Sequence, residues 1–342
     1  MQTGLAPVMP TSPYERVGSY SRLMALITLA GVPEWRRVRR AQAAATPFEG
    51  PRSFTAVSPI YQTIAGRTIR LAEAGDPTKP TAVFLSPFPL TILTFEMVWR
   101  LLADDVHLIG YDVPGLGKSP GGPEVMTYEF AARHLLGLLD ELDLRDVHLI
   151  GHDIPSAIVL RAAAIDRSRI ASLVIGDGPG VDIDATRQRL NGSLVQRLLT
   201  WGAPYRRFVG RAGAPAVLWV IKRLAFVRAR ISEVELADQI EGYRGRRLRS
   251  MMAWFAGSRE AVRKHIDPVL ASLDVPVHVV WGADDVIVLE EMGRELDRRL
   301  PRSRFSSIAR AGHAPWADQP EIYADLVRSW IAGTHRQVTP TV

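Results

Sequence analysis

"HLIGHDIPSAIVLRAA", residues 148–163, is the stretch on which the reading of this chain turns. An apolar run ends at Gly151, an acid stands alone at Asp153, and a small-residue helical pattern begins near Pro155. A strand that turns sharply into a helix needs a small residue at the corner, and Gly151 is one. Proline suits a first helical turn, because the N–H it lacks would have no intrahelical partner there. Asp153 is left at the apex. An aspartate just before a helix is commonly an N-cap, but the apex of a strand–turn–helix elbow is also where a nucleophile is presented. The rest of the chain has to decide between the two.

Working outward, "YQTIAGRTIRLAEAG" (61–75) alternates apolar and polar residues around a glycine, the pattern of a hairpin. "TAVFLS" (81–86), "VHLIGYD" (106–112), "VHLIGHD" (147–153), "SLVIGDG" (172–178) and "VHVVWGADD" (277–285) are short apolar runs that end in turn residues. Helical patterns separate most of them. That alternation predicts an α/β fold, a mostly parallel central sheet with helices on both faces. Ligands of such sheets sit at the carboxyl ends of the strands. Between residues 181 and 267 the strand signal gives way to helices broken by Pro and Gly, the character of a lid inserted over that edge. "SEVE" marks one helix start, with Ser232 as N-cap and Glu235 three residues on. The organisation read from these shifts is an N-terminal helical arm over 1–57, core over 58–180, lid over 181–267, core again over 268–334, and a tail over 335–342.

The bulk properties bound the chemistry. The chain has 342 residues, 47% apolar and 23% charged, the composition of a globular protein. It has no cysteine, which excludes disulfides, thiolate metal sites and cysteine nucleophiles. No apolar run nears the ~20 residues that span a bilayer, and no signal peptide is read, so a cytoplasmic location is expected. The net charge of +6 is uneven, with basic residues concentrated in the lid and arm. No nucleic-acid-binding module accompanies that charge, so none is expected as a partner. A solvated helical face explains it, and so does an anionic group on a ligand held by arginines such as Arg206 or Arg244. The amphipathic arm reads as a segment that docks on the domain or on a second copy, which leaves open a homodimer through arm or lid.

Four stretches in this order now carry a resemblance: "FLSPFP" (84–89), "GYDVPGLGKSP" (110–120), "GHDIPS" (151–156), and the pair "WGADD" (281–285) with "RAGHAPWADQPE" (310–321). Over Tyr61 to Ala332 the chain resembles the α/β-hydrolases, and within them the Asp-nucleophile enzymes, the epoxide hydrolases and haloalkane dehalogenases. The resemblance implies that Asp153 is the nucleophile, His313 the base, and Asp285 the acid that orients His313. Asp177 is the alternative acid, at a second site that some members use. It also implies an oxyanion hole made of the backbone N–H groups of Phe88 and Ile154, and no cofactor or metal. The glycine-rich "DVPGLGKS" is then a structural turn rather than a phosphate loop, and His152 is structural. Two departures stand out: S-P-F-P replaces the family's H-G-x-P, and Pro155 takes the place of a usual glycine.

The chemistry narrows further. A dehalogenase cradles the departing halide with side-chain N–H donors beside the nucleophile, but here Ile154 and Phe88 occupy those positions and neither side chain can donate. An epoxide hydrolase needs an acid from the lid, usually tyrosine. Tyr205 and Tyr243 are the candidates, with Trp254 as a substrate-lining residue. The expectation is a hydrolase that opens an epoxide on a small, largely apolar substrate through a covalent ester on Asp153. The alternatives are a biosynthetic enzyme that opens, cyclises or eliminates without hydrolysis, and a ligand-binding protein without catalysis.

Overall fold

The computed structural model describes residues 33–179, 222–243 and 260–338. Its first helix, α1 (Pro33–Ala44), leads to a two-residue strand, β1 (Phe48–Glu49). The expected hairpin follows as β2 (Ile60–Ile64) and β3 (Arg67–Ala74), paired antiparallel. Ala65 and Gly66 at its tip both have positive φ, 48° and 72°, the primed two-residue turn whose twist matches the strands it joins. Then come β4 (Thr81–Leu85), α2 (Glu96–Leu102), β5 (His107–Asp112), α3 (Tyr128–Glu141), β6 (Val147–His152), α4 (Ile154–Ile165) and β7 (Ile170–Gly176). In the span read as a lid, β8 (Ala229–Arg230) and α5 (Glu233–Gly242) are described, and then the core resumes. It continues with β9 (Val277–Gly282), α6 (Glu290–Arg299), β10 (Ser303–Ile308), α7 (Pro315–Asp318) and α8 (Pro320–Val338).

One eight-stranded sheet runs in the order β10-β9-β7-β6-β4-β5-β3-β2, parallel except where β3 joins β5 and β2 joins β3. Its faces follow from strand alternation. Val83, Leu85, Leu149 and Leu173 point to one side, where Leu135, Leu138, Ile158 and Leu296 from helices α3, α4 and α6 cover them. Ala82, Phe84, Ile150 and Val174 point to the other, under Val98, Trp99, Tyr323 and Val327 of α2 and α8. The expected fold class is the observed one. The edge strand β10 had no counterpart among the apolar runs: "SRFSSI" is polar and half-exposed, and only its last residue, Ile308, is buried.

The described end of the arm, from residue 33 onward, packs on its own chain. β1 pairs in parallel with β8, and Gln42 Nε2 donates to the carbonyls of Arg223 and Phe226. Val38 packs with Leu224 and Val286. Residues 1–32 of the arm and most of the span 181–267 read as a lid lie outside the described residues. Where the lid is described, Ser232 caps α5 as expected, its hydroxyl accepting from the N–H of Glu235. Among the described residues, no helix is long and apolar enough to cross a membrane.

Candidate active site

Strand β6 delivers Asp153 to the carboxyl edge of the sheet in a strained conformation, φ 57° and ψ −134°. The sequence allows this corner because Gly151 has no Cβ. One placed there would come within 2.6 Å of the Pro155 carbonyl oxygen. Pro155 itself sits in the first turn of α4 without disturbing the elbow. The N-cap reading fails here: Asp153 precedes α4, but its side chain makes no capping bond to the helix. Its Oδ2 instead accepts the N–H of Phe88 at 2.9 Å. The S-P-F-P loop therefore presents its donor despite its unusual sequence. A turn bond from Leu90 N–H to Pro87 O shapes it, and the N–H of Ser86 donates to Tyr111 O. Ile154 opens α4, where helices leave N–H groups free of intrahelical partners.

The other oxygen, Asp153 Oδ1, lies 3.6 Å from Nε2 of His313. On the far side of the ring, Nδ1 of His313 is 2.8 Å from Asp285 Oδ2. Asp285 Oδ1 accepts the N–H groups of Ile287 and Val288, so its carboxylate cannot turn away. All three groups are buried. Burial alone would push the His313 imidazole down, but the Asp285 carboxylate and the bonds to Asp153 and Asp285 outweigh it. The imidazole is held well above its ordinary range. A carboxyl group thus stands at each nitrogen of the His313 ring.

Asp177 has a different partner. Its Oδ2 is 3.0 Å from Nδ1 of His152, and its Oδ1 accepts the N–H of Gly282. Tyr323 lies at the other ring nitrogen, its hydroxyl 2.6 Å from Nε2 of His152. Burial first, then the charge on His313, pushes His152 down to about 3, so its ring is neutral. Asp177 and the Tyr323 hydroxyl thus hydrogen-bond the two ring nitrogens. Burial and the nearby carboxylates of Asp285 and Asp153 push Asp177 well up. Of the two acids considered for His313, Asp285 is the one bonded to it. Atoms of Asp177, Asp285 and His313 lie within 4.8 Å of one another, close enough for a cation. Every oxygen of the two carboxylates already accepts a hydrogen bond, so the donor set fits two adjacent His–Asp dyads better than a metal.

A residue that sequence reasoning passed over holds this arrangement together. Asp318, inside the quoted "RAGHAPWADQPE", accepts four backbone N–H groups, those of Val227, Arg228, Ala229 and Gly312. It thus ties the returning lid segment to the residue next to His313. Its burial pushes the carboxyl up, and the four amides oppose that. The available signal was an acid in an otherwise apolar, Pro-punctuated turn. The "DVPGLGKS" turn is structural, as read: buried Asp112 accepts from the N–H groups of Ile92 and Lys118.

Of the aromatic candidates read from 181–267, Tyr243 is among the described residues. The hydroxyl of Tyr243 accepts the N–H of Gly117 and donates to the carbonyl of Leu90, and its ring packs edge-on against Phe88. These contacts brace the loop that carries Phe88. Tyr205, Trp254, Arg206 and Arg244 lie outside the described residues. Above Asp153 and His313 the described lining is apolar: Pro87, Phe88, Pro89, Leu90, Ala225, Phe226, Ala314 and Trp316. The indole N–H of Trp316 donates to Thr94 Oγ1, away from the acid.

Comparison with known proteins agrees with this architecture. Residues 93–320 match the α/β-hydrolase fold family. The chain belongs to the α/β-hydrolase family. It is 26% identical over 288 residues to the uncharacterized hydrolase YugF of Bacillus subtilis, covering 81% of this chain and 99% of that one. Among solved structures it is similar to the haloalkane dehalogenase DbeA of Bradyrhizobium elkani, with TM-score 0.71 and 20% identity, covering 82% of this chain and 99% of that one. It is also similar to a putative lipase from Acinetobacter baumannii, with TM-score 0.68 and 16% identity, covering 89% and 96%. At those identities the two structures speak to the fold alone. As a member of this family the chain is a hydrolase, and its elbow carries aspartate.

Proposed function

We propose that this hydrolase opens an epoxide through a covalent alkyl ester on Asp153, which His313 then hydrolyses with water. The observation that carries the reading is the division of labour between the two oxygens of Asp153. Oδ2 is held by the Phe88 N–H, and Oδ1 faces His313 across the pocket. In this reading Oδ1 attacks the epoxide carbon while its C–O bond breaks, and the ring oxygen takes a proton from a lid acid. Tyr205 is assigned that role, since the hydroxyl of Tyr243 is committed to backbone. Water then attacks Cγ of Asp153, His313 takes its proton, and negative charge develops on Oδ2, where Phe88 and Ile154 donate. As the tetrahedral intermediate collapses, the Cγ–Oδ1 bond breaks and His313 returns its proton to the departing oxygen, so that the diol leaves. The second proton of the water restores the lid tyrosine, which leaves Asp153 a carboxylate.

A dehalogenase reading lacks support at the same place. A halide leaving from above Oδ1 would meet the hydrocarbon of Phe88 and Ile154, and the Trp316 N–H is already bonded to Thr94. The test is His313→Gln incubated with styrene oxide, followed by mass analysis of the intact protein and of the Asp153 peptide. Enzyme carrying one equivalent of substrate on Asp153 is expected to accumulate. Normal turnover, or an adduct elsewhere, would overturn the reading.

A further inference from the structure

The loop that carries the Phe88 N–H has little to hold it from within. Pro87 and Pro89 have no N–H to donate, and the buried hydroxyl of Ser86 has no hydrogen-bond partner among the described residues. The grip comes from outside, where the loop ends. The hydroxyl of buried Thr91 donates to Asp238 Oδ2 at 2.7 Å, and the N–H of Ile92 donates to Asp112 Oδ1 at 2.8 Å. Arg70 ties those two carboxylates together. Its guanidinium meets Asp238 with both prongs, at 2.8 and 3.0 Å, and reaches Asp112 at 3.3 Å. Asp112 belongs to β5, whereas Asp238 comes from α5, in the span read as a lid. At the end of the same helix Tyr243 donates to Leu90 O at 3.2 Å and sets its ring edge-on to Phe88. Phe88, Leu90 and Thr91 therefore all lean on α5.

A buried ion pair such as Arg70–Asp238 contributes little net stability, because desolvation offsets its attraction. Its value lies in where it puts the carboxylate. A hydroxyl donating to a charged acceptor makes one of the stronger side-chain bonds, and Thr91 stands three residues from Phe88. Small displacements of a group aimed at a reacting atom are costly, ~10²-fold for about 1 Å. We propose that Asp238 is a positioning residue. Through Thr91, and through the Tyr243 end of the helix it anchors, it sets the Phe88 N–H against Oδ2 of Asp153. The oxyanion donor is then aligned by α5 and not by its own loop. The catalytic consequence rests on the proposed reaction, but the placement is tested without turnover.

The amide resonance and hydrogen exchange of Phe88 are followed in substrate-free native, Asp238→Ala and Thr91→Val protein. Asp238→Ala leaves Arg70 paired with Asp112 and Lys118 with Glu241, so neither cation is stranded. Should it still fail to fold, Thr91→Val, which keeps the side chain's shape and the Arg70–Asp238 pair, carries the test. Both variants should shift the Phe88 resonance and speed its exchange by about tenfold, the scale of one hydrogen bond, with the amides of β4 and β6 unchanged. The double variant should go no further than Asp238→Ala, because both changes cut one link. An unmoved Phe88 amide would overturn the role. Equal acceleration at Phe88 and throughout β4 and β6 would also overturn it, since that is lost stability and not lost placement. In single turnover with styrene oxide, hydrolysis of the Asp153 ester should slow by about tenfold, less than the ~10²-fold that outright loss of an oxyanion donor costs, while ester formation is not slowed. Slowing of formation alone would count against Asp238 as well. If native protein forms no ester on Asp153 but the Phe88 amide responds as expected, the proposed reaction fails and the placement by Asp238 stands.

Discussion

The resting charge of His313 poses a problem for the proposed reaction, and its solution is measurable. A base that must take a proton from water acts only as the neutral ring, yet Asp285 and Asp153 favour the charged form of His313. The ester itself removes the obstacle, because alkylation of Oδ1 neutralises Asp153. Asp153→Asn mimics that loss without substrate. At 3.6 Å, and with an effective dielectric constant of about 20, the imidazolium–carboxylate attraction is about 4–5 kcal/mol. Its removal changes the ratio of imidazolium to imidazole at fixed pH by roughly 10³. The sign is toward the neutral ring, since only the charged form gains from Asp153. Nitrogen and C2–H resonances of His313, assigned by their absence in His313→Gln, report that ratio across a pH titration in native and Asp153→Asn protein. A change below about tenfold would refute the reasoning: Asp153 would not be what holds the proton, and ester formation could not release the base. Turnover in freshly prepared Asp153→Asn should be abolished.

Three further outcomes follow from other contacts. Asp285→Asn should cost about 10⁴-fold in turnover, the scale seen when a triad acid loses its charge, whereas Asp177→Asn should cost less than about tenfold because His152, not His313, is its partner; steady-state rates of the two variants decide which acid serves. Asp318→Ala strands four backbone N–H groups, so it should lower stability by about 3 kcal/mol or more and reduce kcat through the Gly312–His313 loop, read by denaturant unfolding and by rates at saturating substrate. Lys222→Met/Glu235→Gln should raise stability at neutral pH by about 1–4 kcal/mol. Burial pulls Lys222 down to about 7 and pushes Glu235 up to about 7. A lysine lowered on folding destabilises below its unfolded value, and a glutamate raised on folding destabilises above its own. The gain should therefore be largest near pH 7 and shrink as pH moves toward either unfolded value, as unfolding at several pH values would reveal.

What could be read from residues alone follows their physics. Strands β4 to β7 and β9 are buried on both faces, so they appear as unbroken apolar runs that end in turns. The strand β10 is an edge, and its Ser-Arg-Phe-Ser-Ser alternation carries almost no burial signal. Asp153, His313 and Asp285 were legible because each follows a strand end or sits in a motif with its own spacing. The fixed orientation of Asp285 was not, since it comes from the backbone of Ile287 and Val288 closing around Oδ1. The surroundings of Tyr243 were hidden for a different reason. A tyrosine in a lid is chemically able to be an acid, and only the positions of Gly117 and Leu90, more than a hundred residues earlier, reveal that its hydroxyl is occupied. Lys222 had no sequence signature at all, because a lysine among arginines reads as solvated surface until its burial is known.

In the proposed reaction, the two oxygens of Asp153 also order the chemistry. An oxyanion donor usually waits for charge that appears only in the transition state, but the Phe88 N–H is already bonded to Oδ2 in the free acid. That bond draws charge from the carboxylate and so slightly weakens Oδ1 as a nucleophile. It regains its value in the second step, when Cγ becomes tetrahedral and the full charge of the intermediate falls on Oδ2. The arrangement therefore favours ester hydrolysis at some expense to alkylation. A reaction built this way needs a substrate whose ring strain drives the first step, and a three-membered ether supplies that strain where an unstrained carbon–oxygen bond does not. The apolar wall of Phe88, Ala225, Phe226 and Trp316 adds to the same end by excluding water from Oδ1, which raises the reactivity of an anion that water would otherwise solvate.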